Sequence, residues 1–97
     1  MSEQRLFAYL RVRDAGAAIR FYESAFGARE LFRLTEPGGR IGHAELEILG
    51  SVVMLSDAYP EMGLDAPKDN NGTTLQLHVD NADAWIERAL KAGATLH

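Results

Sequence analysis

Residues 77–94, LHVDNADAWIERALKAGA, repeat the pattern of residues 10–28, LRVRDAGAAIRFYESAFGA. In each stretch an alternating apolar segment is followed by an Asp or Asn, by an Ala-rich run with apolar positions at helical spacing, and by a glycine. This order predicts a strand, a helix N-cap, an amphipathic helix and a left-handed helix stop. Identical residues keep one constant offset between the two stretches, as in Val12/Val79, Ala15/Ala82, Ala17/Ala84 and Ile19/Ile86. We therefore interpret the stretches as two βα units from an internal duplication.

The first copy predicts where its strand and its helix begin and end. RLFAYLRV at 5–12 fits a strand, and Asp14 can cap the helix that follows, which we place at about 14–26. Gly27 is positioned to end that helix in the left-handed conformation.

The second copy follows the same rules. TTLQLHV at 73–79 alternates as a strand does. Asn81 or Asp83 can cap the next helix, and Gly93 can end it.

Between the copies the sequence predicts three more strands, at residues 28–36, 40–49 and 52–57. PGG at 37–39 and Gly50-Ser51 are the predicted turns. The fold class is therefore α+β: a βαβββ module followed by the βα start of a second such module, with a mixed curved sheet and helices on one face. The three later strands should form an antiparallel meander beside the first.

We expect one domain over residues 1–97. Within it, 1–57 form the complete module, 58–72 are a linker rich in Pro, Gly, Asp and Asn, and 73–97 form the incomplete second module.

Composition excludes several classes of function. The net charge is −4 without a block of Lys or Arg, so no nucleic-acid partner is expected. The absence of cysteine rules out disulfides and thiolate metal sites. The apolar stretches are too short to span a membrane, and the N-terminus MSEQRLF does not resemble a secretory signal. We expect a cytoplasmic protein without a membrane partner.

RDAGAAIRFYESAFGARELFRL (13–34), HAELEILGSVVMLSD (43–57) and LHVDNADAWIERALKAGA (77–94) resemble the vicinal-oxygen-chelate superfamily of glyoxalases, bleomycin-resistance proteins and dioxygenases, in particular its PhnB-like branch. The resemblance implies paired βαβββ modules whose curved sheets enclose a small-molecule pocket. This chain contains one such module and the βα start of the next, and we expect a shortened chain rather than a natural half-domain.

Strand alternation predicts which side chains face the pocket. Six residues are assigned to its lining: Phe7, Tyr9, Arg11, Thr74, Gln76 and His78. The hydroxyl of Tyr9 and the amide of Gln76 suit a small polar organic molecule, and Arg11 could pair with an acidic one. His78 is the candidate catalytic residue as a general base, and a hydrogen-bonding role without catalysis is equally open.

The resemblance also implies a divalent metal, with ligand positions that fall on Phe7, Met54 and Thr74 and a fourth beyond His97. Phenylalanine has no donor atom, a thioether is too soft for Zn²⁺, Ni²⁺, Mn²⁺ or Fe²⁺, and threonine is rarely a ligand. We therefore predict no cofactor and assign Met54 to ligand binding.

If a metal is present, the remaining candidate ligands are His43, Glu45 and His78. The alternative interpretation of His43 and Glu45 is the solvated face of a half-buried strand.

These observations predict a metal-independent small-molecule-binding protein that forms a homodimer, because a single module leaves sheet edges and apolar surface uncovered. Two alternatives remain open. One is a metal-dependent lyase or isomerase acting on a carbonyl compound; the other is a protein that sequesters a drug or metabolite unchanged.

Overall fold

The computed structural model describes residues 4–68 and 73–97. Its elements in chain order are β1 (Ala8–Val12), α1 (Ala15–Phe26), β2 (Arg29–Thr35), β3 (Ile41–Ile48), β4 (Ser51–Asp57), a short 3-10 helix (Pro60–Met62) and α2 (Ala82–Lys91). The sheet order is β1-β4-β3-β2, in which β1 runs parallel to β4 and the other pairs are antiparallel. The α+β class, the βαβββ order and the meander beside the first strand are confirmed.

Helix α1 has the predicted ends. The Asp14 carboxylate accepts a hydrogen bond from the backbone N–H of Ala17 at 3.0 Å, which satisfies an otherwise unpaired donor of the first turn. Gly27 ends the helix with a φ of 66°, and its N–H donates to the Glu23 carbonyl.

Helix α2 is capped by Asn81, the first of its two predicted caps. The Asn81 side-chain oxygen accepts from the N–H of Ala84 at 3.1 Å, while Asp83 lies in the first turn. Gly93, with a φ of 115°, follows the C-cap residue Ala92. Neither helix in the described ranges has the length and apolar character needed to cross a bilayer.

The hydrophobic core lies between α1 and one face of the sheet. Alternate residues of β3 and β4, such as Leu46 and Leu55, are fully buried against Ala15 and Ile19 of the helix. Leu10 and Val12 of β1 and Leu77 also pack against this core, as do Tyr22 and Phe26 of α1. Because side chains alternate along a strand, the intervening residues of β1, β3 and β4 lie on the opposite face.

Helix α2 packs against α1. Arg88 of α2 donates from Nε to the Ser24 carbonyl at 2.7 Å, near the C-terminal end of α1. This is a favourable place for a cation, because the last carbonyls of a helix carry partial negative charge.

Two sequence predictions were wrong in detail. Residues 73–79 form no strand, since none of the four strands pairs with them. Their burial alternates as predicted: 75, 77 and 79 are half-buried, and 74, 76 and 78 are exposed.

The β3–β4 turn is centred on Leu49-Gly50, with φ of 50° and 82°, rather than on Gly50-Ser51. Of the predicted linker, residues 69–72 lie outside the described part, and Tyr59 and Leu64 form an isolated bridge.

The side chain of Asp57 joins three elements. One carboxylate oxygen accepts from the N–H of Ala15 at 2.7 Å, and the other accepts from the N–H of Ile41 at 2.6 Å. The last residue of β4 therefore connects the start of α1 to the start of β3.

Candidate functional site

A row of side chains crosses the sheet on the face opposite α1. Tyr9 of β1 is paired with Met54 of β4, Met54 with Glu45 of β3, and Glu45 with Phe32 of β2. Directly paired residues project from the same face of a sheet. We call the surface formed by this row the polar face. His43 and Arg11 lie on it as well, because each is two positions along its strand from Glu45 and Tyr9, respectively.

Tyr9, His43 and Glu45 form a continuous chain of hydrogen bonds. The Tyr9 hydroxyl lies 3.0 Å from Nδ1 of His43, and Nε2 of His43 lies 2.9 Å from Oε2 of Glu45. The Tyr9 and Phe32 rings flank the imidazole, with centroids at 5.4 and 5.9 Å. The side chains of His43 and Glu45 are 28% and 32% exposed, so the chain is partly shielded and open on one side.

Arg11 provides a cation beside this chain. Its guanidinium carbon lies 4.9 Å from the centre of the Tyr9 ring, and Nη1 donates to the hydroxyl of Ser56. Ser56 is fully buried and donates in turn to the Asp57 carbonyl at 2.9 Å. Within residues 4–68 and 73–97 no carboxylate pairs with Arg11, so both of its contacts are to uncharged groups.

An open groove of about 640 Å³ borders the polar face along the edge of β1. Its lining includes Tyr9 and Arg11 of β1, Tyr22 and Phe26 of α1, and Leu75 and Leu77. The Tyr22 phenol in this wall of the groove is uncharged at neutral pH, and burial raises its pKa further.

A second groove of about 400 Å³ adjoins the first and shares Phe26, Leu75 and Leu77 with it. Gln76 and His78 line it together with Phe26, Ile48 and Leu49. The Gln76 amide nitrogen lies 3.0 Å from Nε2 of His78, and both side chains are exposed.

The predicted pocket residues are therefore divided. Tyr9 and Arg11 lie together beside the first groove, and Gln76 and His78 lie together at the second. Phe7, Met54 and Thr74 line neither groove, although Met54 occupies the centre of the polar face. The assignment of all these residues to one cavity stays a prediction about the paired modules.

The sequence also left His43 and Glu45 open between metal ligands and a solvated strand face. The hydrogen bond between His43 and Tyr9 could not be found from alternation alone, because it depends on the register between β1, β4 and β3.

The sequence matches a known protein family. Residues 5–97 match the family model of the Glyoxalase/Bleomycin resistance protein/Dioxygenase superfamily. The chain belongs to this superfamily.

The chain is also similar to individual proteins and solved structures. Protein Mb0911c of Mycobacterium bovis is 44% identical, over 97% of this chain and 65% of that protein. Among solved structures, the Arabidopsis thaliana At5g48480 gene product has a TM-score of 0.69 at 27% identity, covering 98% of this chain and 75% of that one. The fosfomycin resistance protein FosX of Listeria monocytogenes, in complex with Mn(II) and sulfate, has a TM-score of 0.70 at 17% identity, with 98% and 75% covered. The chain spans 58 to 65% of the length of the curated relatives it matches.

A glyoxalase-superfamily metal would not fit the donor groups present. Met54 places a thioether at the centre of the polar face, between Tyr9 and Glu45. In the described residues no group of three or more His, Cys, Asp or Glu side chains is arranged to hold a metal. The fallback set is not assembled either: His43 and Glu45 are in contact, whereas His78 bonds Gln76 at the second groove.

Proposed function

We propose that this domain binds a small polar organic molecule on the polar face, without a metal. The observation that carries the proposal is the hydrogen-bonded chain of Tyr9, His43 and Glu45 with the guanidinium of Arg11 beside it. Polar groups converging next to an apolar groove are the common composition of a small-molecule site. The groove supplies apolar contact, and the polar face supplies directional hydrogen bonds.

The guanidinium of Arg11 favours an anionic ligand. A guanidinium presents several donors in a planar fork that fits a carboxylate or phosphonate, and Arg11 is not neutralised by a carboxylate among the described residues. A mutant of FosX of Listeria monocytogenes has been crystallised with Mn(II) and 1S,2S-dihydroxypropylphosphonic acid, a small polar acid, although at 17% identity the likeness to it extends to the fold alone.

The other predicted pocket residues would join the site when two modules pair. We propose that in a homodimer Gln76, His78 and Thr74 complete a cavity with Phe7, Met54 and the polar face. A strand edge beside segment 73–79 and exposed apolar side chains such as Leu31 and Leu34 support such pairing. The cytoplasmic location stays a prediction from the sequence.

The test maps binding on the ¹⁵N-labelled protein by NMR, in buffer containing EDTA, with a panel of small carboxylates and phosphonates. We expect shift changes at residues 9–11, 43–45 and 54–56. Arg11→Ala should weaken binding at least about tenfold, since a hydrogen bond to a charged group contributes about 1.5–3 kcal/mol. Arg29→Ala is the matched control, because Arg29 pairs with Glu47 on an exposed part of the sheet.

Three outcomes would contradict the proposal. They are no binding by any member of the panel, shift changes confined to other surfaces, or binding that appears only when Mn²⁺ or Zn²⁺ replaces the chelator. The last outcome would favour the metal-dependent lyase or isomerase. An unaltered ligand after long incubation would favour sequestration, and His78→Ala would show whether that histidine affects turnover or binding.

A further inference from the structure

The hydrogen-bonded chain on the polar face has the form of a proton relay. We propose that Tyr9, His43 and Glu45 remove a proton from the carbon next to the carbonyl of a small 2-oxo acid, with Tyr9 Oη as the atom that takes the proton. The proposal rests on the proposed function, because it requires an anionic ligand beside Arg11. It adds a reaction that needs no metal.

The direction of the relay follows from hydrogen-bond chemistry. An ionised Glu45 can only accept, so Nε2 of His43 carries the proton in the 2.9 Å contact. In a neutral imidazole the other nitrogen is then an acceptor, so the Tyr9 hydroxyl donates to Nδ1 at 3.0 Å. The lone pairs of Tyr9 Oη are left to face a ligand, and Tyr9 is more exposed than the other two side chains.

The proton-transfer step balances without an added oxidant or reductant. The substrate carbon gives its proton to Tyr9 Oη while the hydroxyl proton of Tyr9 moves to Nδ1 of His43. The C–H electron pair forms the C=C bond of an enolate, and the carbonyl π pair moves to oxygen. Glu45 stabilises the imidazolium through Nε2–H, as a carboxylate does in other relays that contain histidine. The reverse step returns a proton from the solvent pool to carbon.

A backbone acceptor fits the second state of the relay. The Gly42 carbonyl lies 3.4 Å from Tyr9 Oη. When His43 is an imidazolium, Nδ1–H donates to Oη, and the hydroxyl proton of Tyr9 can turn to this carbonyl. Both protonation states of His43 therefore leave the Tyr9 hydroxyl with a partner.

Arg11 determines the class of substrate. Its guanidinium lies over the Tyr9 ring, 4.9 Å from the ring centre, and bonds an uncharged serine. It can hold the substrate carboxylate and oppose the negative charge that develops on the enolate oxygen. In a 2-oxo acid the carboxylate, the carbonyl and the acidic carbon are consecutive, which places the reacting C–H near the group that anchors the molecule.

The experiment uses pyruvate as the probe, in D₂O with EDTA. Loss of the methyl proton signal in ¹H NMR measures enolisation, and backbone ¹⁵N shifts measure binding. The wild type should accelerate exchange over buffer, and Tyr9→Phe should lower that acceleration about 100-fold or more while pyruvate still binds. Tyr59→Phe is the matched control, because the Tyr59 hydroxyl is buried without a hydrogen-bond partner in the described structure.

A second pair of variants tests the positioning role of Glu45. Glu45→Gln should lower exchange and shift the His43 side-chain ¹⁵N signals away from the Nε2–H form. Glu47→Gln, on the same strand and paired with Arg29, should change neither.

The outcomes separate the two proposals. Pyruvate that binds at residues 9–11 without faster exchange, or a Tyr9→Phe protein that retains the wild-type rate, would overturn the relay and leave the binding function standing. If other carboxylates bind at the polar face and pyruvate does not, the 2-oxo acid class is wrong. If none binds there, both proposals fail.

Discussion

Replacing Asp57 by Asn tests the three-way connection between β4, α1 and β3. The two carboxylate oxygens accept from Ala15 N–H at 2.7 Å and Ile41 N–H at 2.6 Å, and both donor residues are buried. Asparagine keeps one acceptor oxygen and replaces the other with an amide nitrogen, which donates and cannot accept. One hydrogen bond to a charged group is lost, at about 1.5–3 kcal/mol, and the other becomes a weaker neutral one.

The expected loss in the free energy of unfolding is about 3 kcal/mol. For a domain of this size, a loss of 3 kcal/mol lowers Tm by about 12–24 °C. Thermal and urea unfolding followed by circular dichroism would measure both quantities. Asp14→Asn is the matched control: it removes the same charge at the α1 cap, where asparagine serves equally well. A Tm for Asp57→Asn within 3 °C of the wild type would refute the reasoning, and an equal drop in Asp14→Asn would attribute the loss to net charge.

Three further predictions concern stability. Leu46→Ala should cost about 2–5 kcal/mol in urea unfolding, since Leu46 is fully buried between sheet and helix; a loss below 1 kcal/mol would contradict this packing. Gly27→Ala should lower the free energy of unfolding by about 1 kcal/mol because of the left-handed φ of 66°. Gly38→Ala should be neutral, since Gly38 lies in open space and lacks that φ. Equal losses in the two variants would contradict the cap assignment. The hydrogen bond from Arg40 holds the pKa of Glu61 below its usual range, so this ion pair stabilises the fold at neutral pH and is lost as pH falls through that lowered pKa. Glu61→Gln should therefore flatten the dependence of stability on pH in the acid range. An unchanged pH profile of stability would contradict this.

The helices and their ends follow from local signals. Asp14, Gly27 and Asn81 act on backbone groups within a few residues of themselves, so their roles follow from the sequence alone. The alternation of residues 73–79 was likewise present in the sequence, but a ladder also requires a partner strand, and none of the four strands supplies one.

The candidate site was predicted only in part, because its contacts join distant residues. Alternation placed Tyr9 on one face of its strand and His43 on one face of another, yet their hydrogen bond depends on strand register. Asp57 gave no local signal of its bonds to Ala15 and Ile41, which come from the tertiary fold. The separation of Gln76 and His78 from Tyr9 similarly depends on where segment 73–79 lies.

The parallel pairing of β1 with β4 has a consequence for the order of folding. Short turns join β2, β3 and β4, whereas β1 reaches β4 only after a loop of the whole module has closed, as Ala8 pairs with Val53. Loop closure of this length has an entropic cost that local hairpins avoid. We expect the meander to form first, so Leu10→Ala should mainly speed unfolding and Leu46→Ala should slow refolding; the opposite pattern in stopped-flow kinetics would reverse this order. Tyr9 comes from the late strand and His43 from the early meander, so the polar face is assembled only in the last step of folding.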